Sequence, residues 1–250
     1  MELLKNKIAL VTGAGSGIGY SVATLFARNG ARVVAADINE EGGAAVVDEI
    51  KRAGGDAIFI RSDAGKAEDA AALVEKTLRQ YQRLDISCNN AGIGGESAPV
   101  GEYSLSEWQK VIDVNLSGVF YGMRYQIPAM LATGGGAIVN MASILGQVGF
   151  TNSCAYVAAK HGVVGLTKTA ALEYSARGIR INAVGPAFIE TPLITRHMTE
   201  EAIEQLVGMH PMGRLGKPEE VAELVLWLSA PVSSFVTGAY YAIDGAYLAR

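Results

Sequence analysis

Seven short apolar runs, each parted from the next by a stretch of helical length, leave this chain few ways to fold. The runs are residues 8–12, 32–36, 57–61, 84–88, 137–141, 180–184 and 240–243. They are rich in branched residues and lack polar alternation, which is the pattern of strands buried on both faces of a parallel sheet. Between them lie segments of helical length and spacing at 18–29, 40–53, 66–81, 106–131, 155–176 and 219–228. Alternation of this kind predicts an α/β chain, a doubly wound parallel sheet with helices on both faces in three layers, α/β/α.

Local chemistry marks several boundaries. Ser106 followed by Gln109 reads as a capping box for the fourth helical segment, and Pro218 with Glu219 and Glu220 suits the first turn of the last. Gly30, Gly54 and Gly178 fall just past helix ends, where a left-handed residue is needed. Residues 185–214 lack clear periodicity, and in a compact chain such a stretch is expected to lie over a site as a lid. With no internal repeat, low-complexity tract or linker, residues 1–250 read as a single domain.

Composition narrows the function classes. The chain carries 21 Lys and Arg against 25 Asp and Glu, a formal charge of -4, and its cations are scattered. No basic stripe can neutralise a phosphate backbone, so no nucleic-acid partner is expected. Nowhere do 18 apolar residues run together, and charges flank Leu3 and Leu4, so neither a membrane span nor a signal peptide is read. Cys88 and Cys154 fit neither a disulfide framework nor a zinc site. The expectation is a cytoplasmic protein without a metal.

Thr12-Gly13-Ala14-Gly15-Ser16-Gly17-Ile18-Gly19 joins the first run to the first helix. Glycines there let the backbone turn sharply, approach a pyrophosphate and pack the helix on the sheet, with helix N–H groups facing the anion. In a chain with 30 glycines a spaced triplet alone says little; its place at the first strand-to-helix junction makes it a dinucleotide signal. Asp37 ends the second strand, where a carboxylate either accepts hydrogen bonds from both hydroxyls of an adenosine ribose or caps the helix beginning near Asn39. On the first reading its charge repels a 2'-phosphate, and neither Ser16 nor Ile38 is a cation that would welcome one, so NAD is expected rather than NADP. Asp63, beside Ala64, is placed for the adenine edge or merely makes a turn, and Asn89-Asn90-Ala91-Gly92 can satisfy backbone groups next to the coenzyme.

Tyr156 and Lys160 are four positions apart in a helical segment, so they share one face. A phenol is a poor acid-base catalyst at neutral pH, and a nearby ammonium lowers its pKa by favouring the phenolate. Ser143, just past the fifth strand, lies at the same sheet edge as the glycine turn, where ligands of open parallel sheets collect. It can hold a substrate oxygen while Tyr156 exchanges a proton with that oxygen. Asn115 interrupts an apolar helical stretch despite its low helix propensity, which suggests a role for its amide.

With these residues the chain resembles a short-chain dehydrogenase/reductase of the classical type, over essentially all 250 residues, from the Thr12–Gly19 turn to Ile243-Asp244-Gly245. The resemblance implies a Rossmann fold and an NAD-dependent alcohol dehydrogenase or carbonyl reductase. It implies that Tyr156 is the general acid/base, that Ser143 orients the carbonyl or hydroxyl, and that Lys160 lowers the tyrosine pKa and holds the nicotinamide ribose. It further implies that Asn115 fixes a water connecting the lysine to solvent. Coenzyme contacts are expected from Gly13, Ser16, Gly17, Ile18, Gly19, Asp37, Ile38, Asp63, Ala64, Asn90, Ala91, Gly92, Tyr156, Lys160 and Pro186, with Ile189 and Thr191 at the nicotinamide amide and phosphate. Two departures stand out. Pro186-Ala187 replaces a Pro-Gly pair, which restricts the backbone, and Asp244-Gly245-Ala246 lacks a second glycine.

By the same resemblance the substrate pocket is walled by residues 93–97, 144–153 and 188–212, mixing Ile144, Phe150, Phe188, Leu193, Ile194, Met209 and Met212 with Glu96, Gln147 and Asn152. Such walls suit a small to medium, mostly apolar secondary alcohol or ketone. Arg196, His197, His210 and Arg214 are too dispersed to hold a phosphate, and His161, His197 and His210 are given no role. Residues 130–136, where carrier-protein reductases present a basic docking face, hold no cation, which disfavours an NADP-dependent 3-oxoacyl-carrier-protein reductase. A non-catalytic dinucleotide sensor would be expected to lack the tyrosine or lysine, and a methyltransferase would have no use for the trio. Small residues on several faces of the 155–176 segment call for burial on more than one side, and the resemblance implies a homotetramer.

Overall fold

Parallel pairing joins every strand to its neighbours. β1 (Ile8–Thr12), β2 (Arg32–Asp37), β3 (Ala57–Arg61), β4 (Ile86–Asn89), β5 (Gly136–Met141), β6 (Ile179–Pro186) and β7 (Tyr240–Ile243) form one sheet in the order β3-β2-β1-β4-β5-β6-β7. The computed structural model describes residues 2–195 and 199–249, apart from the side chains of residues 193 and 195. The helices are α1 (Gly17–Arg28), α2 (Glu40–Arg52), α3 (Ala67–Tyr81), α4 (Leu105–Ile112), α5 (Gly118–Leu131), α6 (Cys154–Tyr174), α7 (Pro192–Thr195), α8 (Glu200–Gly208) and α9 (Pro218–Ser229). None among the described residues is long and apolar enough to cross a membrane.

Strand alternation divides the interior in two. Ala9, Val11, Val33 and Ala35 face a core closed by Val22 and Phe26 of α1, Val46 and Ile50 of α2, and Val225 and Leu228 of α9. Leu10, Val34 and Ala36 face the opposite core, with Leu73 of α3, Met123 and Ile127 of α5, and Val163 of α6. The chain runs from β1 outward to β3, then returns to place β4 on the other side of β1. That reversal opens a crevice at the carboxyl ends of β1 and β4, where open α/β sheets bind ligands.

Four local expectations need correction. The fourth helix is capped by Ser104 rather than Ser106: its hydroxyl accepts from the Glu107 N–H at 3.4 Å, using the Ser-x-x-Glu spacing one turn-fraction earlier. β4 begins at Ile86, because the preceding Asp85 turns its carboxylate onto the Ile8 N–H at 2.9 Å and onto Arg83. The 106–131 segment is not one α-helix; a π-turn at Asp113–Ser117 separates α4 from α5. Residues 185–214 are not featureless, since they hold the end of β6, then α7 and α8, the latter capped by Thr199 on the Ala202 N–H.

Candidate active site

The glycine turn is held in shape by the protein's own groups. Gly17 has φ +53°, a left-handed conformation that other residues adopt at a cost, and a Cβ on Gly19 would lie 2.0 Å from the Gly13 carbonyl oxygen. Ser16 makes no side-chain cap on α1, so the first-turn N–H groups face the crevice as anion donors. Asn90 stitches β4 to the turn: its Nδ2 donates to the Thr12 and Gly13 carbonyls at 3.0 and 3.2 Å. The Asn90 and Ala91 N–H groups donate to the Thr12 hydroxyl at 3.0 and 3.1 Å.

Asp37 is held in the crevice rather than at a helix end. Its Oδ2 accepts from the Gly15 N–H at 2.8 Å and its Oδ1 from the Asn39 N–H at 2.9 Å, while Asn39 itself caps α2 by accepting from the Gly42 N–H. The neighbouring Ile38 is 56% exposed and offers no charge. Asp63 makes the turn that was its alternative reading, accepting from the Gly65 N–H at 3.0 Å, and pairs with Lys66 at 3.8 Å. Ala64 backs onto Gly118, whose Cβ would sit 2.6 Å from the Ala64 carbonyl oxygen.

After β6 the chain returns to the glycine turn. Glu190 N–H donates to the Gly216 carbonyl, and Gly216 N–H to that of Phe188, so the N–H and C=O of Ile189 point away from this bridge. Thr191 lies against the turn, its methyl carbon 3.1 Å from where a Gly17 Cβ would be. Ala187 after Pro186 is not left-handed, so the missing glycine strains nothing there; the constraint falls instead on Ala246, at φ +70°.

Tyr156 and Lys160 project from α6 beside the end of β5. Lys160 is 2% exposed, its Nζ donates to the Met141 carbonyl at 2.7 Å and lies 5.4 Å from the centroid of the Tyr156 ring. Burial lowers its pKa to about 8. Burial also raises the Tyr156 phenol above its ordinary value, and a hydrogen bond with Ser143 pulls it back. The expected lowering of the phenol by the amine is not what this geometry produces, because the amine faces the ring and the Met141 carbonyl. Ser143 is buried; its hydroxyl accepts from the Leu145 N–H at 3.2 Å and reaches the Pro186 carbonyl at 3.5 Å.

The depressed lysine has a thermodynamic consequence. An unfolded lysine keeps its proton to about 10.4, whereas the folded one releases it near 8. Between those values the unfolded chain binds more protons, so raising the pH favours the folded state by up to about 3 kcal/mol. In parallel melts from pH 7 to 10, the wild type is expected to gain stability relative to Lys160→Met. A pH-independent difference would show that burial does not hold the amine down.

Asn115 sits in the π-turn and clasps Ile93. Its Oδ1 accepts from the Ile93 N–H and its Nδ2 donates to the Ile93 carbonyl, both at 2.8 Å. Both ends of the amide therefore serve the loop after β4. The extra residue of the π-turn is what swings this side chain toward it.

The expected pocket walls meet in a ring cluster. Phe188 packs against Phe150 at 5.6 Å, edge-on to His210 at 5.8 Å and near Tyr247 at 6.1 Å. Ile144 is buried, Met212 is exposed, and Glu96 turns its carboxylate to the Ser104 N–H. Sequence reasoning gave His210 and Tyr247 no part, since a lone histidine and a tail tyrosine carry no spacing signal. Arg196, His197 and the Leu193 side chain lie outside the described residues.

A family profile described as enoyl-(acyl carrier protein) reductase matches residues 13–247. The chain is 54% identical over 245 residues to the cyclohexanol dehydrogenase of an Acinetobacter species, covering 98% of this chain and 96% of that one. It is 44% identical over 252 residues to the 2,5-dichloro-2,5-cyclohexadiene-1,4-diol dehydrogenase of Sphingobium indicum, covering 100% of each. The crystal structure of levodione reductase superposes with a TM-score of 0.95 at 34% identity, covering 98% of this chain and 99% of that one. The chain therefore belongs to the short-chain dehydrogenase/reductase family, of the classical type, and is an oxidoreductase of a family that binds a nicotinamide dinucleotide.

Proposed function

We propose that this chain is an NAD(H)-dependent dehydrogenase that interconverts a small to medium, mostly apolar cyclic alcohol and its ketone, with Tyr156 as general acid and base. The observation that carries this reading is the meeting of a phenol, a buried hydroxyl and a buried amine at the end of β5. In oxidation Ser143 holds the substrate oxygen and Tyr156 takes its proton; in reduction Tyr156 returns it. The Lys160 amine, held by the Met141 carbonyl beside the Tyr156 ring, would hold the nicotinamide ribose. The residues on hand fit a dinucleotide: Gly13, Ser16, Gly17, Ile18, Gly19, Asn90, Ala91 and Gly92 would hold the pyrophosphate side, and Pro186, Ile189 and Thr191 the nicotinamide side. When bound, that coenzyme supplies or accepts the hydride.

Asp37 supports NAD over NADP, because its carboxylate is fixed by the Gly15 N–H and the exposed neighbour Ile38 brings no cation to offset a 2'-phosphate. Ring substrates are supported by two relatives named for ring alcohols and by the aromatic walls Phe150 and Phe188. A homotetramer is part of this reading: Leu105, Phe120, Leu172, Val232 and Phe235 are large apolar side chains exposed in the single chain.

Initial rates of cyclohexanone reduction with NADH and NADPH test it. A kcat/KM at least about tenfold higher with NADH is expected, equivalent to about 1.4 kcal/mol of discrimination. Equal rates would remove the role of Asp37, and no turnover of any cyclic ketone or alcohol would remove the substrate class.

A further inference from the structure

We propose that Tyr240 is a positioning residue: from the edge strand β7 its phenol fixes the main chain of Ser143, and through it the hydroxyl that holds the substrate oxygen. This rests on the reading of Ser143 given above. The Tyr240 hydroxyl donates to the Ser143 carbonyl at 3.0 Å, across 97 positions of sequence. The Gly146 N–H donates to the same carbonyl at 2.9 Å. A carbonyl oxygen has two lone pairs, so both are engaged and the peptide after Ser143 is held by two donors.

The sheet is built to admit this phenol. Tyr240 and Tyr241 are neighbours in a strand, so they face opposite cores. Tyr241 packs edge-on against Trp227 of α9 at 6.2 Å, while Tyr240 lies on the other face, paired in register with Ala183 of β6. To reach Ser143 at the end of β5 it must cross β6, because β5 and β7 are two strand spacings apart, about 9–10 Å. Gly185 leaves the passage open: a Cβ there would lie 2.0 Å from the phenol oxygen and 2.2 Å from the ring carbon that bears it. A glycine in β6 and a tyrosine in β7 thus answer each other.

The anchor matters because the Ser143 hydroxyl is loosely held by its own bonds. It accepts from the Leu145 N–H at 3.2 Å and reaches the Pro186 carbonyl only at 3.5 Å, so its place follows that of its main chain. A ring at position 240 would fill the same space without an oxygen; what the oxygen adds is the bond to Ser143. Burial, and then the Asp244 charge, raise the Tyr240 phenol above its ordinary value, so it remains a donor through neutral and mildly alkaline pH.

The test follows cyclohexanone reduction in the wild type, Tyr240→Phe, Ser143→Ala and the double variant, with enzyme in excess of NADH so that slow variants still give a rate. Misplacing a positioning group by about 1 Å can cost about 100-fold, and the donor left at Gly146 permits a smaller shift, so Tyr240→Phe is expected to lower the rate about tenfold. NADH affinity, from a fluorescence titration, should stay within about twofold of wild type, the scatter of independent sites. In the Ser143→Ala background the same substitution should change the rate by less than about twofold, since the group it places is gone. An equal loss in both backgrounds would make Tyr240 a packing residue and overturns the proposal, as does an unchanged rate in Tyr240→Phe alone. An unchanged rate in Ser143→Ala overturns the reading of Ser143, and this proposal with it.

Discussion

Tyr156→Phe is expected to keep NADH binding and to lose at least about 100-fold in turnover of cyclohexanol, the usual scale of a general acid/base contribution. The substitution removes one oxygen and little else. Lys160 keeps its bond to the Met141 carbonyl and its place over the aromatic ring, and Ser143 keeps its contact with the Leu145 N–H. Stability should change by no more than about 1 kcal/mol, the worth of the hydrogen bond with Ser143. Steady-state rates, paired with a fluorescence titration by NADH, separate the two effects. Turnover within tenfold of wild type would take Tyr156 out of the chemistry. Because burial raises the phenol, cyclohexanol oxidation by the wild type should speed up as the pH rises through neutrality, where more of the phenolate forms.

Gly19→Ala should be the second severe change, and for a different reason. The new methyl would stand 2.0 Å from the Gly13 carbonyl oxygen and 2.5 Å from the Asn90 Nδ2. Neither can yield: the carbonyl belongs to the turn, and Asn90 is tied to two carbonyls of it. Overpacking of this kind costs about 1–3 kcal/mol, with about 2–4 °C of melting temperature per kcal/mol at this size. The first turn of α1 must shift, so NADH affinity should fall at least about tenfold, or 1.4 kcal/mol. Gly54→Ala is the control. Unlike Gly19→Ala, it forces a left-handed alanine, at φ +85°, but the methyl meets nothing within 4 Å, and it should lose stability without losing NADH. Unchanged NADH affinity in Gly19→Ala would mean that the turn does not hold the coenzyme.

What the sequence could disclose depended on how many residues shared each constraint. β1, β3 and β7 have the bounds their apolar runs predict; for the central β1 this follows because a strand covered on both faces must be apolar throughout, while the edge strands β3 and β7 are only partly buried. α8 left no such trace: only Leu206 of its nine residues is buried, so almost nothing enforces a helical period. The fourth helix offered two overlapping capping patterns, and the choice of Ser104 follows from a tertiary contact, the Glu96 carboxylate receiving the Ser104 N–H. Asn115 was visible as an oddity, but its partner Ile93 and the π-turn that delivers it were not.

The same division runs through the site. Ser143, Tyr156 and Lys160, which the structure brings together, could be picked out because the chemistry proposed for them demands particular residue types at particular separations. The direction in which the phenol is shifted could not, since it depends on burial and on where the lysine amine finds its acceptor. Asp37 was ambiguous between a ligand contact and a cap until Asn39 proved to be the cap. The ring cluster of Phe188, His210 and Tyr247 left no trace in the sequence, because its contacts are tertiary.

The bond from the Gly15 amide to the Asp37 carboxylate has an engineering consequence. On the reading proposed above, one side chain both moors the glycine turn and repels a 2'-phosphate, so nucleotide preference and loop rigidity would be mechanically coupled. A designer who exchanges position 37 for a cation would unfasten the loop in the same stroke. Altered preference would therefore require a second substitution that re-anchors the Gly15 amide.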